Sequence, residues 1–394
     1  MEPQREKKES LARRGAQRAF ALVFFACLCG LGLAAIFGKP EPGISEREQR
    51  RLTARPEPSA DALRSGKYQE AYEAYLSDRM PGRDWLYSRC QEIRYFCGLR
   101  AFGTFLAGRD GSVLAAPQEW SEEKRGELIS ELLALAREFP DSRQFVCIAP
   151  EAAAVIPEWL PKGVTVTDQR EQYRQFCEAL SAEAEKEAAA PKIVCVDAAE
   201  CLRSASEGQL YYRSDHHWTT RGAWAVAKEL IARMGFQPDE PEYVWTVASE
   251  DFYGTTASGS GLYRKKDRIE LCMPKDVKVL VQYVQEQTKA AGCFSRQGLE
   301  GAQPYEVFFG GNFGEMILQT NAYDKGTLLV VKDSFANCLL PMLLPYYSKI
   351  VVVDPRYYAG DWELLLQSVA GCDVLWLFRQ NTLTELSLSA LHGY

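Results

Sequence analysis

Histidine is scarce in this chain of 394 residues, which contains only His216, His217 and His392, so an imidazole-based mechanism must use one of these three. Positive charge is also in the minority: 46 lysines and arginines face 53 acidic residues, the net charge is −7, and the basic residues are dispersed. This balance argues against a nucleic-acid-binding protein. The sequence has no CxxC pair or Cys/His spacing typical of zinc sites, and we expect neither a metal nor a cofactor.

One long apolar run lies at the N-terminus. Residues 1–18 are basic, and the uncharged stretch AFALVFFACLCGLGLAAIF follows from Ala19 to Phe37. A membrane-spanning helix takes about 20 such residues. We therefore predict a cytoplasmic tail over 1–18 and a single-pass anchor over 19–38, and the positive-inside rule places the rest of the chain outside the cytoplasm. A cleaved signal peptide is the alternative that the sequence leaves open.

Ten of the twelve cysteines lie beyond this run, an even number that permits disulfides in an exported protein. Cys272 with Cys293 is the pair to test first, and the sequence leaves the disulfide pattern open. Cys147 and Cys195 sit inside apolar, strand-like runs, where a free cysteine acts as a small hydrophobic residue.

The remaining chain shows an α/β pattern. Residues 39–59 are rich in proline and charge and predict a stalk, and we assign 60–394 to one domain. Five buried strands, in a mostly parallel sheet with helices on both faces, are expected in RQFVCIAP (143–150), KIVCVDAAE (192–200), TLLVVKDSFANC (327–338), KIVVVDP (349–355) and DVLWLFRQN (373–381). Polar alternation and many glycines over about 240–325 predict an insertion that forms β-hairpins or a lid.

Ser334 lies at the carboxyl end of one of these strands, where the pattern predicts a sharp turn and then a helix. In open α/β sheets this edge carries the reactive groups, and helix N-terminal amides there can hold an oxyanion. An ordinary helix cap by Ser334 or Asp333 is the alternative.

The segment YYRSDHHWTTRGAW places Asp215, His216 and His217 in the turn before an amphipathic helix. A serine nucleophile needs a base, and that base needs a carboxylate to fix its tautomer. One alternative is a histidine pair packed under Trp218. Another is a two-histidine, one-carboxylate metal site, which is disfavoured because consecutive histidines project differently.

The SDHHWT sequence with the following RGAW resembles the signature of DHHW-motif proteins, which are similar to the alginate O-acetyltransferase proteins of the AlgX/AlgJ type. Three further segments share the resemblance, which covers roughly residues 44–380: ISEREQRRL, APEAAAVIPEWLP and VVKDSFAN. It implies an SGNH-hydrolase-like, flavodoxin-like α/β domain behind the transmembrane helix, with a β-rich insertion.

Carried over by motif, the resemblance makes Ser334 the nucleophile, His217 the general base and Asp215 its orienting partner. His217 is preferred to His216 because the family's histidine directly precedes tryptophan, which leaves His216 as a substrate contact or a packing residue. Beyond the Ser334 amide, the candidates for oxyanion or substrate contacts are Asn381, the Gly310-Gly311-Asn312 turn and Arg356 with Tyr357. Ordinary turn or surface roles stay open for these residues.

We thus expect an extracytoplasmic serine acyltransferase or esterase acting on a cell-envelope polysaccharide. The resemblance also implies a membrane-bound O-acyltransferase as partner, because a transferred acyl group must cross the membrane. The alternative is a non-catalytic, glycan-binding or scaffold protein that keeps the fold.

Overall fold

The computed structural model describes residues 2–37, 44–45, 50–186, 192–206, 208–239 and 241–392. The chain divides into two compact units, Met1–Ile93 and Arg94–Tyr394. Residues 39–43 and 46–49 of the predicted stalk lie outside the described residues. The domain boundaries predicted from the sequence stay predictions, although the compact unit that holds the sheet begins at Arg94 and not at residue 60.

The first unit is dominated by one long helix, α1, within which Arg13–Ile36 is long and apolar enough to cross a membrane and is 0% buried. This helix is compatible with the predicted single-pass anchor and equally with a signal peptide. The further elements of this part of the chain are β1 (Ile44–Ser45), β2 (Arg50–Arg51), α2 (Ala60–Ser65), α3 (Lys67–Asp78) and α4 (Arg83–Phe96), after α1 (Glu2–Phe37). Gly66, with φ of 80°, forms the left-handed junction between α2 and α3.

The larger unit contains the remaining elements. Its strands are β3 (Ala101–Phe102), β4 (Phe105–Ala107), β5 (Val113–Ala115), β6 (Gln144–Ala149), β7 (Ile193–Val196), β8 (Tyr243–Phe252), β9 (Asp267–Pro274), β10 (Val279–Tyr283), β11 (Thr288–Ala291), β12 (Glu315–Thr320), β13 (Thr327–Lys332), β14 (Lys349–Val353) and β15 (Asp373–Arg379). Its α-helices are α5 (Glu122–Ala136), α6 (Ala152–Val155), α7 (Gln169–Ala184), α8 (Ala198–Ser204), α9 (Thr220–Arg233), α10 (Thr255–Ser260), α11 (Arg296–Leu299), α12 (Leu340–Leu343), α13 (Trp362–Ser368) and α14 (Thr382–Glu385).

An eight-stranded mixed sheet organises this unit, in the order β11-β10-β12-β14-β13-β15-β6-β7. The five predicted strands form its parallel part, from β14 to β7. Along β13, Leu328 and Val330 join one hydrophobic core while Leu329 and Val331 join the other. Burial on both faces explains the continuous apolar runs, because such a strand has no polar side. The predicted mostly parallel α/β fold is therefore confirmed.

The segment 240–325 differs in part from its prediction. Strands β8 and β9 form a separate antiparallel hairpin, as expected of an insertion. Strands β10, β11 and β12, however, extend the main sheet, with β12 antiparallel to β14. The lid interpretation is wrong for these three strands, because they are hydrogen-bonded into the main sheet and the buried side chains of β10 and β12, such as Val281, pack on its core.

The candidate disulfide between Cys272 and Cys293 is not formed, and all twelve cysteines are free. Both thiols are buried, but Cys272 belongs to the β8–β9 hairpin whereas Cys293 follows β11 in the main sheet. Burial raises the pKa of each thiol, to about 12 for Cys272 and to well above the ordinary value for Cys293. These cysteines therefore act as small core residues, as predicted for Cys147, which is fully buried.

Candidate active site

The turn after β13 presents the Ser334 hydroxyl at the carboxyl edge of the sheet. Asp333 caps this turn: its Oδ1 accepts a hydrogen bond from the Phe335 amide at 2.9 Å, and its Oδ2 accepts one from the Arg379 amide at 2.8 Å. Asp333 is therefore the residue that caps this turn, and the Ser334 hydroxyl does not act as the cap. A single 3₁₀ turn, Ser334–Ala336, follows in place of the predicted immediate helix, and α12 begins only at Leu340.

The SDHHW turn brings its acid and its second histidine to this serine. His217 Nε2 lies 2.8 Å from Ser334 Oγ, and His217 Nδ1 lies 2.6 Å from Asp215 Oδ1. The His217 amide also donates to Asp215 Oδ1 at 2.9 Å. A continuous series of hydrogen bonds therefore joins carboxylate, imidazole and hydroxyl, in the geometry of a base-activated serine nucleophile.

Residues 254 and 255 hold the buried Asp215 carboxylate from its other side. The Thr255 amide and hydroxyl donate to Asp215 Oδ2 at 2.8 and 2.9 Å. A Cβ on Gly254 would lie 2.2 Å from the same oxygen, so only glycine fits there. Burial alone would raise the pKa of Asp215, but the nearby histidines and their hydrogen bonds outweigh it and keep this pKa well below its usual range. The carboxylate thus stays ionised.

Two aromatic residues fix the histidine and the serine turn. The Tyr305 ring stacks on the His217 imidazole, with centroids 3.8 Å apart and planes at 11°, and its hydroxyl donates to the Ser334 carbonyl at 3.3 Å. Trp218 Nε1 donates to the Phe335 carbonyl at 2.9 Å, so the motif's tryptophan ties the SDHHW turn to the serine turn. Sequence reasoning missed Tyr305, Thr255 and Gly254, which lie in the segment 240–325 and follow no recognised motif.

His216 contacts Thr255 and not the serine. Thr255 Oγ1 donates its only hydrogen to Asp215, so His216 Nδ1 must carry the hydrogen that it shares with this hydroxyl. Burial lowers the pKa of His216 well below its usual value, which favours a neutral ring with a free Nε2 lone pair. Donor atoms of Asp215, His216 and His217 lie within 4.8 Å of one another. A metal ion at these atoms would have to displace the hydrogen bonds that Asp215 accepts.

A cavity of about 590 Å³ lies beside these residues; we call it the arginine-lined cavity. Its walls include His216, Thr255, Arg356, Arg379, Asn381 and Gln118. Each arginine is paired with a buried acid: Arg379 with Glu151, and Arg356 with Asp354. Arg356 thus lies in the same cavity wall as His216, and its role as a substrate contact stays a prediction. The neighbouring Tyr357 ring lies 5.3 Å from its guanidinium carbon.

The other residues predicted to contact the oxyanion or the substrate, Asn381, Asn312 and Gly311, have structural roles in the chain. Asn381 donates to the Ala116 carbonyl and accepts from the Gln118 amide and from Gln169. Asn312 accepts from Lys332 and Asn337, and Gly311 occupies a left-handed turn with φ of 129°. Within the described part of the chain none of the three hydrogen-bonds to Ser334, so their oxyanion role stays a prediction. The third histidine, His392, pairs with Glu138 away from the serine.

Fold and site together define an SGNH-hydrolase-like α/β protein with a serine, a histidine and an aspartate in hydrogen-bonded series. Residues 132–294 match the family model described as SGNH hydrolase-like domain, acetyltransferase AlgX. This match includes Asp215 and His217 and ends before Ser334. The resemblance predicted from the SDHHW motif is thus confirmed, whereas no curated protein matches the chain.

Solved structures support the same fold. A DHHW family protein from Eubacterium siraeum superposes with a TM-score of 0.61 at 18% identity, over 74% of this chain and 98% of its own. Bacillus cereus PatB1 with a sulfonyl adduct gives 0.59 at 18% identity, over 73% of this chain and 99% of its own. At this identity the similarity establishes the SGNH-like fold, and the roles of the residues rest on the geometry of the site.

Proposed function

We propose that this protein is a serine acyltransferase or esterase that acts on a cell-envelope polysaccharide outside the cytoplasm. The observation that carries the proposal is the series Asp215–His217–Ser334, with hydrogen bonds of 2.6 and 2.8 Å. The family model is described as an acetyltransferase, which agrees with acyl transfer to or from a sugar hydroxyl. The apolar helix at Arg13–Ile36 supports attachment to the membrane or export across it.

In this mechanism Ser334 Oγ attacks an acyl carbonyl while its proton passes to His217 Nε2. The ionised Asp215 stabilises the imidazolium that forms, and the Ser334 amide is the first donor proposed for the oxyanion. His217 then protonates the departing alcohol and leaves an acyl ester on Ser334. A sugar hydroxyl or a water molecule, deprotonated by His217, attacks the ester carbonyl, the bond from the acyl carbon to Ser334 Oγ breaks, and His217 returns the proton to Oγ. The arginine-lined cavity is the proposed place for the acceptor. Transfer also requires a membrane-bound O-acyltransferase partner to deliver the acyl group.

Hydrolysis of p-nitrophenyl acetate by the full-length chain in detergent micelles tests the proposal. We expect release of nitrophenol and, when the reaction is stopped in acid, an acetyl group on the peptide that contains Ser334. Adding a polysaccharide acceptor distinguishes transferase from esterase, because only a transferase moves the acetyl group to the glycan. A parent protein with neither activity nor acyl-enzyme would favour a glycan-binding scaffold.

Gly254→Ala is expected to reduce this hydrolysis about a hundredfold, because the new methyl group must displace the Asp215 carboxylate and misorient His217. Gly326→Ala is the matched control, since a Cβ there meets no atom within 4 Å, and it should keep parental kcat/KM. Equal activity of the two variants would show that the position of Asp215 does not matter for catalysis.

A further inference from the structure

A second cavity, of about 530 Å³, lies in the antiparallel extension of the sheet, and the proposed mechanism does not use it. We call it the aromatic cavity, because Tyr283, Phe294, Phe309 and Phe313 contribute to its walls. The Tyr283 and Phe313 rings pack with centroids 4.4 Å apart at 50°. Aromatic faces carry negative partial charge and attract cations and the C–H edges of sugar rings.

One carboxyl group, from Glu306, lines this cavity, and no Lys, Arg or His side chain is among the described residues that do so. The Glu306 side chain is partly buried and has no hydrogen bond or ion pair within the described chain. Burial raises the pKa of this carboxyl group, and no cation among the described residues opposes the effect. A half-buried carboxylate without a hydrogen-bond partner in the described chain can accept from solvent or from a cationic ligand. The arginine-lined cavity differs, since both of its arginines are paired with acids.

The backbone holds this wall in an uncommon conformation. Phe309 has φ of 63° and is followed by Gly310 and Gly311, both with positive φ. For a bulky residue this left-handed conformation is a genuine outlier. Hydrogen bonds fix it: the Tyr283 hydroxyl donates to the Phe309 carbonyl, and the Phe309 amide donates to the Cys293 carbonyl, both at 2.7 Å. Such strain persists only where the surroundings enforce it, and it is frequent at ligand sites.

We propose that the aromatic cavity binds a sugar unit that bears a free ammonium group. The ammonium group of the sugar donates hydrogen bonds to the Glu306 carboxylate and neutralises its charge. The rings of Phe294 and Phe313 pack on the sugar body. Thr288 and Gln297 at the exposed rim offer polar groups to its hydroxyls. A bare metal ion fits less well, since hard cations need several oxygen ligands and this cavity has one carboxylate.

The aromatic cavity and the candidate active site share one turn of the chain. Tyr305, whose ring stacks on His217, directly precedes Glu306 in the 3₁₀ turn Pro304–Val307. A glycan held at Glu306 is therefore held by the same turn that supports the catalytic imidazole. Binding at the aromatic cavity does not use Ser334, so the proposal can be tested whether or not the chain is an enzyme.

The test is isothermal titration of the full-length chain in mildly acidic buffer with the tetramer of glucosamine and with the tetramer of N-acetylglucosamine. We expect the parent and Ser334→Ala to bind the glucosamine tetramer alike and to prefer it to the acetylated one. Glu306→Gln, which keeps the shape of the side chain, should weaken this binding roughly tenfold or more, because a charged hydrogen bond is lost. Glu363→Gln removes the same charge from an exposed position and should bind as the parent does.

Phe313→Leu serves as a second variant, since it keeps an apolar side chain but removes a ring that packs on the sugar body, and we expect at least a threefold loss of affinity. Thermal unfolding of each variant checks that it is folded. Parental affinity in folded Glu306→Gln, or equal binding of the two tetramers by the parent, would overturn the proposal.

Discussion

Ser334→Ala and His217→Ala are each expected to lower kcat for p-nitrophenyl acetate about a thousandfold or more. Without Oγ there is no nucleophile, and without the imidazole no base lies at hydrogen-bonding distance from Oγ, since His217 Nε2 makes the 2.8 Å contact. His216 does not substitute, because its ring is held at Thr255 and makes no hydrogen bond to Ser334 in the described part of the chain. The measurement is the steady-state rate of ester hydrolysis by the full-length chain in micelles, after the rate of spontaneous ester hydrolysis in buffer is subtracted.

The double variant Ser334→Ala, His217→Ala sharpens this test. Residues that act as one unit give strongly non-additive losses, so the double variant should be no slower than either single variant. His392→Ala is the matched control, because it removes an imidazole that pairs with Glu138 and does not hydrogen-bond to the serine. If the fold loss in kcat of the double variant equals the product of the two single losses, Ser334 and His217 do not act as one unit. A comparable loss in His392→Ala would likewise contradict the proposed mechanism.

The parallel half of the sheet and the meeting of Asp215, His217 and Ser334 were predictable because both depend on local patterns. Doubly buried strands are continuously apolar, and the carboxyl ends of parallel strands lie on one edge of the sheet. Strand β13 ends at Lys332, two residues before the serine, so its position at that edge follows from the strand alone. Asp215 and His217 lie two residues apart in one turn, and the choice of His217 over His216 came from the resemblance, in which the histidine directly precedes tryptophan.

The residues that support this series were not predictable in the same way. Tyr305 and Thr255 reach His217 and Asp215 from sequence positions far from either motif, and nothing in their neighbours marks a tertiary contact. Gly254 looks like any loop glycine until the carboxylate beside it is seen. Strands β10 to β12 carry the alternating pattern of a half-exposed hairpin, and that pattern does not reveal which sheet the strands join.

Asp354→Asn is expected to destabilise the fold by about 3–5 kcal/mol, the usual effect of removing one partner from a buried ion pair. The side chains of Asp354 and Lys332 are both 0% exposed, and their charged atoms lie 3.3 Å apart behind the serine turn. Asparagine fills the same volume, so the loss reflects an uncompensated Lys332 ammonium and not a cavity. We expect the midpoint of thermal unfolding to fall by roughly 10 °C.

Glu242→Gln is the comparison for this variant, because Glu242 and Lys275 form a shorter ion pair, of 2.7 Å, between exposed side chains. Water already solvates both of these charges, so the unfolding midpoint should stay at the parental value despite the shorter distance. An equal effect of the two substitutions would show that burial does not decide the strength of the Lys332–Asp354 pair.

The pH dependence of the stability of Asp354→Asn tests whether the charge on Lys332 causes the loss. Burial lowers the pKa of Lys332 below its ordinary value of 10.5, whereas Asp354 opposes this shift. Between the lowered and the ordinary pKa the folded state binds fewer protons than the unfolded state, so stability rises with pH in that window. Asp354→Asn lowers the pKa of Lys332 further and widens the window. The deficit of the variant should therefore shrink as the pH is raised, because a neutral amine needs no counter-charge.

Adding Lys332→Met to Asp354→Asn should restore most of the lost stability, since the buried cation is then gone as well. Arg356, the other partner of Asp354, keeps 28% of its side chain exposed toward solvent and tolerates the loss of the carboxylate better. If the restored variant regains its unfolding midpoint but hydrolyses p-nitrophenyl acetate more slowly, the pair also positions the turn that begins at Asp333. Parental activity in that variant would limit the pair to a structural role, with the geometry of Ser334 set by Asp333, Trp218 and Tyr305 alone.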